Sequence, residues 1–247
     1  MGRICALFDR MDAWRHLPNY QLERRADLFF SLYLPEVLET KLGFALHEQL
    51  VPEFPVRIGT IYPQIPIDKS CKIDYVALSA DGDRAVFVEL KTEGMSRRTK
   101  QDNYLKAARD VGLSALLAGL LDIFRATQAK RKYFHLLEHL ESMALLDIPM
   151  PVKEIMSRPT LRGVTEASKA IEVTTRVAEC IIVYVQPNGS GPDVISFEEY
   201  RAVVQQHDDP VSRRFARSLT EWAEIQAGEI SPTGRRGRPC RRGRGRM

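Results

Sequence analysis

Three residues near the middle of the chain stand where their chemistry needs an explanation. Asp74 lies in KIDYVALSA and Glu89 and Lys91 in RAVFVELKT, two runs otherwise rich in apolar and β-branched side chains. Each run reads as a strand, and Asp81-Gly82-Asp83 between them is a strong hairpin cue. Alternate side chains on a strand share a face, so Glu89, Lys91 and Glu93 point the same way. Burying a carboxylate costs several kcal/mol unless it is paired or coordinates a metal. A lysine two residues along, about 7 Å on by the strand rise, reaches the same pocket. Two carboxylates and an ammonium are equipment for metal-assisted hydrolysis. The acids would hold a hard divalent cation, Mg²⁺ first, with Mn²⁺ able to substitute. Such an ion acidifies water and neutralises charge on a phosphoryl oxygen, while the lysine orients the water or stabilises developing negative charge.

The elements that must position these residues follow from periodicity. Leu22, Ala26, Phe29, Phe30 and Tyr33 are at helical spacing, giving a helix over Tyr20 to Tyr33. Pro35 suits the first turn of a second helix running to about Leu50. A short strand is expected near Val56, then a Pro-rich loop, then the hairpin. Residues Gln101 to Thr127 read as one long helix and Lys130 to Leu146 as another, whereas 147–176 are ambiguous. Cys180 to Gln186, CIIVYVQ, has the apolar texture of a fully buried strand, and Phe197 to Gln206 and Arg213 to Ala227 read as helices. The expectation is an α/β domain with a mixed sheet, over residues 1–230.

Composition bounds the rest. The chain has 247 residues, 44% of them hydrophobic, enough for one large core. No apolar run approaches the roughly 20 residues of a membrane span, and Asp9, Arg10 and Asp12 interrupt any secretory signal. Cys5, Cys71, Cys180 and Cys240 form no CxxC pair, the pattern of reduced thiols in a cytoplasmic protein. The net charge is +4, but residues 231–247 hold seven arginines and no acid. Removing them leaves 29 basic against 32 acidic residues, a body near −3. A Gly/Arg/Pro tail of this kind is expected to be disordered.

Asp74 followed by Glu89-Leu90-Lys91 on the next strand resembles the PD-(D/E)xK nuclease superfamily, the restriction-endonuclease-like fold. Gln101 and Tyr104 resemble the Gln/Tyr pair of its RecB-like members, at a spacing of three residues where four is usual. The resemblance covers about residues 35 to 186. It implies an αβββαβ core, a DNA endonuclease activity, a metal held by Asp74, Glu89 and the Leu90 carbonyl, and catalytic roles for Asp74, Glu89, Lys91, Gln101 and Tyr104. It leaves a homodimer open. The family often adds a Glu from its first core helix: Glu39 is the choice here, with Glu23, Glu36 and Glu48 as rivals. A second D…ExK, Asp27 with Glu39-Thr40-Lys41, falls in a helix, where residues two apart diverge by roughly 200° and cannot share a pocket.

Two further motifs compete or add. His135-Leu136-Leu137-Glu138-His139 matches the H-x-x-E-H of inverzincin peptidases, yet the histidines fall opposite the apolar stripe of Tyr133, Leu136, Leu137, Leu140 and Ala144. In the tail, Arg236-Gly237-Arg238-Pro239 resembles the core of an AT-hook, suited to a narrow A·T minor groove; a basic tail without groove preference is the other reading. Arg97, Arg98 and Lys100, beside the proposed site, are the expected DNA contacts of the folded body. Together these expectations describe a Mg²⁺-dependent DNA nuclease. A degenerate member that binds nucleic acid without cutting is the rival within the fold, and a zinc peptidase the rival outside it.

Overall fold

The computed structural model describes residues 2–65, 69–92 and 99–228. Among them, helices α1 (Arg3–Trp14) and α2 (Glu23–Leu42) precede β1 (Val51–Arg57), the short α3 (Ile58–Ile61) and the hairpin β2 (Ser70–Leu78) and β3 (Arg84–Leu90). Next come α4 (Thr99–Ala126), α5 (Lys130–Ser142), β4 (Leu146–Asp147), α6 (Met150–Ser157), α7 (Val164–Ala167) and β5 (Glu172–Val173). The strands β6 (Glu179–Gln186) and β7 (Val194–Ser196) and the helices α8 (Phe197–Val204) and α9 (Pro210–Gly228) complete the domain. The main sheet has the order β1-β2-β3-β6-β7. The pairs β1/β2 and β2/β3 are antiparallel, while β3/β6 and β6/β7 are parallel. The chain is thus mixed α/β, with a five-stranded mixed sheet between helices. Among the described residues no helix is long and apolar enough to cross a membrane.

Strand alternation sorts the core into two layers. Ala85 and Phe87 of β3 pack with α4 and α5, alongside Leu116, Leu117, Leu120 and Phe124. Val86, Val88 and Leu90 pack on the other face with α2, α8 and α9, alongside Phe30, Leu34, Tyr200 and Trp222. Arg214 of α9 ties α1 to this second layer: its guanidinium donates to Asp9 at 2.7 Å and Asp12 at 2.5 Å, and the Trp222 indole donates to Asp12 at 2.8 Å.

Two expectations about helices need correction, and α1 was not anticipated. α1 forms although its sequence is broken by charges, because Phe8 and Met11 lie one turn apart and both are buried. Pro35 does not start a helix but lies within α2, which is one helix from Glu23 to Leu42 ending on Gly43 at φ 75°. An internal proline costs about 3 kcal/mol. Phe30, Tyr33, Leu34, Val37 and Leu38 are buried on both sides of it, and each such side chain returns about 1.5–3 kcal/mol. Conversely, the long helix α4 is broken at Gly112, whose φ of 80° and ψ of 161° are not helical.

That backbone conformation is essentially restricted to glycine. A Cβ added at Gly112 would meet nothing within 4 Å, so the constraint there is purely conformational. Gly112→Ala should therefore destabilise the fold by about 1–3 kcal/mol in denaturant unfolding. In a continuous helix the same change would stabilise by roughly 1 kcal/mol, so the sign of the measured change distinguishes the two.

Candidate functional site

The hairpin register explains why two acids meet. The pairs of β2 with β3 run Leu78↔Ala85, Ala77↔Val86, Val76↔Phe87 and Tyr75↔Val88. One further step sets Asp74 opposite Glu89, and like charges directly across a strand pair repel. The ladder ends there. The Leu90 amide donates instead to Asp74 Oδ2, at 2.8 Å. β2 continues along β1 to the pair Ser70↔Arg57, while β3 continues along β6, the Lys91 amide donating to the Val185 carbonyl at 2.8 Å. The two hairpin strands separate just past the acids. A cleft of about 440 Å³ opens at this end of the sheet, lined among others by Glu23, Lys72, Asp74, Gln101 and Tyr104.

Glu89 and Lys91 lie beneath the cleft, 1% and 6% exposed. Glu89 Oε1 accepts from Lys91 Nζ and from Gln101 Nε2. Among the described residues Glu89 Oε2 is buried with no hydrogen-bond donor, and Asp74 stands close to the same carboxyl. Lys91 Nζ also lies 3.7 Å from Glu23 Oε2. Glu23 opens α2 and Gln101 lies in the first turn of α4, so helices from both faces of the sheet reach its end.

Electrostatics follow from this crowding. Burial, then the Asp74 charge, push the Glu89 carboxyl up to about 7, against the pull of Lys91. Burial raises Asp74 as well, opposed by the Leu90 amide and Lys91, and it raises Glu23. For Lys91, burial acts downward, but Glu89, Glu23 and Asp74 outweigh it and hold the ammonium above its ordinary value. Among the described residues, Asp74, Glu89 and Glu23 share the one buried ammonium, that of Lys91.

The structure brings together Asp74, Glu89, Lys91 and Gln101, with Tyr104 in the cleft wall. Leu90 enters through its amide. Glu39 does not join them. It lies at the far end of α2, sixteen residues or roughly 24 Å along the axis from Glu23, and its Oε1 accepts the Leu46 amide at 2.7 Å. Glu23 is the helix acid at the cleft. Glu23 was named as a rival but ranked below Glu39, because Pro35 suggested a helix start twelve residues beyond it. Arg24 and Lys72 also line the cleft and were not anticipated, since an isolated cation in sequence carries no signal. Arg97 and Arg98 lie outside the described residues, as do the side chain of Lys100 and the tail with Arg236 and Arg238.

The second D…ExK is dispersed as expected: Lys41 pairs with Glu199 at 2.8 Å. On α5, His135 Nδ1 lies 3.2 Å from Glu138 Oε2, whereas His139 Nε2 turns to the Leu50 carbonyl at 2.9 Å. The two histidines have separate partners and do not converge. Among the described residues no three His, Cys, Asp or Glu side chains are grouped to hold a metal ion. The chain matches no protein-family model, no curated protein and no solved structure.

The raised Glu89 pKa has a testable sign. Between pH 4.5 and about 7 the folded carboxyl keeps a proton that the unfolded chain releases. Stability from this group is therefore full below pH 4.5 and falls as pH rises to about 7. In EDTA, the unfolding free energy should drop by about 2 kcal/mol between pH 5 and pH 8. Glu89→Gln should flatten that drop. Mn²⁺ at pH 8 should raise the Tm of the wild type and not of the variant. An equal response of both proteins would show that Glu89 takes no part in holding the ion.

Proposed function

We propose that the protein is a metal-dependent phosphodiesterase that cuts DNA, in the manner of the PD-(D/E)xK nucleases. The observation that carries this reading is the half-buried Asp74 beside the buried Glu89, with one Glu89 oxygen lacking a donor among the described residues, next to Lys91. Such a pair is satisfied by a proton or a cation, and a hard divalent ion with oxygen ligands fits it. Asp74 and Glu89 would hold Mg²⁺, or Mn²⁺ in its place. When bound, the ion supplies Lewis acidity toward water and toward the phosphoryl oxygen. The order α2, β1, β2, β3, α4, β6, with β6 parallel to β3, corresponds to the αβββαβ core of that superfamily and supports the same assignment.

The chain's own groups then divide the work. Asp74 is fixed by the Leu90 amide and Glu89 by Gln101, so neither carboxylate has to reorganise as charge moves. Lys91, kept cationic by its acidic neighbours, stabilises charge developing on the phosphate or orients the attacking water. Arg24 at the cleft is the cation placed to meet the phosphate backbone, Lys72 being paired with Glu53. The tail, at +7 against a body near −3, raises local DNA affinity, and its Arg236-Gly237-Arg238-Pro239 core favours A·T-rich minor grooves.

Purified protein should nick or cut DNA with Mg²⁺ or Mn²⁺ and stop with EDTA. Lys91→Ala should slow cutting by at least 10²-fold, with a thermal melt to confirm folding. Cutting by this variant at the wild-type rate would remove Lys91 from the mechanism. Binding without cutting on a broad substrate panel would instead identify a non-cleaving member of the same fold.

Deleting residues 231–247 tests the tail separately. Seven cations give a slope of log K against log salt of up to roughly −6, and truncation should flatten it. Arg238→Ala should erase a preference for A·T-rich duplexes while lowering the slope by only about one. A flattened slope with no A·T preference in the wild type would make the tail a general electrostatic tether.

A further inference from the structure

Apolar side chains left in water gather on one part of the surface. Among the described residues seven large hydrophobic side chains are exposed, and five of them belong to α1, the turn after it and α2: Leu7, Trp14, Leu17, Leu28 and Leu32. Single exposed leucines need no explanation, but a contiguous set marks an interaction site. On α1, Arg3, Leu7, Arg10 and Trp14 follow spacings of four, three and four, so they share one flank. On α2, Arg25, Leu28 and Leu32 do the same. The two helices meet where the Phe8 and Phe29 rings lie 4.5 Å apart. At one end of this seam the Trp14 ring lies 6.2 Å from that of Tyr20. The Arg10 guanidinium is 5.9 Å from the Trp14 ring and that of Arg25 is 4.4 Å from the Tyr20 ring. Further along α1, Arg3, Ile4, Ala6, Leu7 and Arg10 line a hollow of about 490 Å³. Leu32, 63% exposed, is nine residues or roughly 180° around α2 from Glu23, so this face is turned away from the carboxylate cleft.

Its charge says what covers it. Arg3, Arg10 and Arg25 are exposed, and among the described residues none of them is in an ion pair. The nearby acids are engaged: Asp9 and Asp12 by Arg214, Asp27 by the Leu28 amide at 2.7 Å and Glu36 by His207 at 2.7 Å. A second copy laid face to face would set these arginines against their own counterparts. Residues 231–247, with seven arginines and no acid, would be repelled as well. An anionic bilayer offers the matching charge on a flat surface, which would leave the hollow beside Leu7 unfilled. Two helices side by side instead make a groove for a third, the mode in which amphipathic helices dock on apolar anchors. Trp, Tyr and Arg are also the residues that carry most of the binding energy at protein interfaces. We infer that the α1/α2 face is a docking surface for an acidic amphipathic helix of a partner protein. The apolar stripe of that helix lies on Leu7, Trp14, Leu28 and Leu32, and its carboxylates meet Arg3, Arg10 and Arg25. Docking here does not depend on the chemistry at Asp74 and Glu89.

The chain carries its own reporter. Of its two tryptophans, Trp222 is fully buried and Trp14 is 46% exposed, so a blue shift of tryptophan emission reports cover over this face. The probe, added to the full chain, is a synthetic helix without tryptophan, its leucines at i, i+3 and i+4 spacing and glutamates elsewhere. It should shift the emission of the wild type. The double variant Leu28→Gln, Leu32→Gln should bind it at least about ten-fold more weakly with an unaltered Tm, since both side chains point into water. Arg3→Glu with Arg25→Glu should weaken it too, and the same helix with lysines in place of glutamates should give no shift with the wild type. No shift with the acidic helix, equal shifts with both helices, or equal affinity of the wild type and the leucine variant would overturn the docking site. So would sedimentation of the wild type as a dimer that the leucine variant loses, which gives the face to a second copy. A shift with phosphatidylserine vesicles and none with the acidic helix would overturn it in favour of a membrane.

Discussion

Asp74 and Glu89 stand opposite each other on neighbouring strands, and at that spacing away from water two carboxylates cannot both stay ionised without compensation. The local structure is arranged around this conflict. The Leu90 amide, which the strand ladder would otherwise use, is diverted to Asp74. Gln101 and Lys91 are drawn to one oxygen of Glu89, and Glu23 stands by Lys91 from the other side of the sheet. What remains is an oxygen without a partner among the described residues and a carboxyl poised near neutrality. A fold selected for stability alone would have replaced this cluster with apolar residues of similar volume, a change often neutral or stabilising.

The separation of β2 from β3 is the second half of the arrangement. Because β1 holds β2 and β6 holds β3, the two central strands can diverge without leaving either unsupported. Divergence makes room for a cleft that Asp74 lines while Glu89 stays buried beneath it. The break at Gly112 allows the first half of α4, with Gln101 and Tyr104, a direction of its own, while the second half carries Leu113 to Phe124 into the core.

The hairpin was the most legible part of the sequence. Asp-Gly between two β-branched runs fixes the turn, Gly82 adopting φ 77°, and the turn fixes the register that sets Asp74 opposite Glu89. The buried strand at residues 180–186 was equally plain, since nothing but a central strand reads CIIVYVQ. Glu23 ranked below Glu39 for a physical reason: proline is a local signal, and at Pro35 burial along the whole of α2 overrode it. Gly112 was hidden by the converse effect, as the leucines on its C-terminal side read as an uninterrupted helix whether or not one residue departs from it. Residues 147–176 stayed ambiguous because their order comes from outside. β4 and β5 are two residues each and exist only by pairing with one another, and no such distant pairing is visible along the chain.

The parallel pairing of β3 with β6 joins Leu90 to Val185 across a long excursion through α4, α5 and the small β4/β5 sheet. A ribosome releases the acidic hairpin well before the strand that covers its inner edge has been made. During that interval β3, apolar along nearly its whole length, presents an open row of amides and carbonyls, the form in which strands from different chains join. Loop-closure entropy over so long a connection makes this the slow contact of the domain. The charges of Glu89 and Lys91, set at the end of an otherwise sticky edge, therefore also act as gatekeepers during synthesis, and a variant that made the cluster apolar would gain a quieter core at the expense of a nascent chain more prone to aggregate.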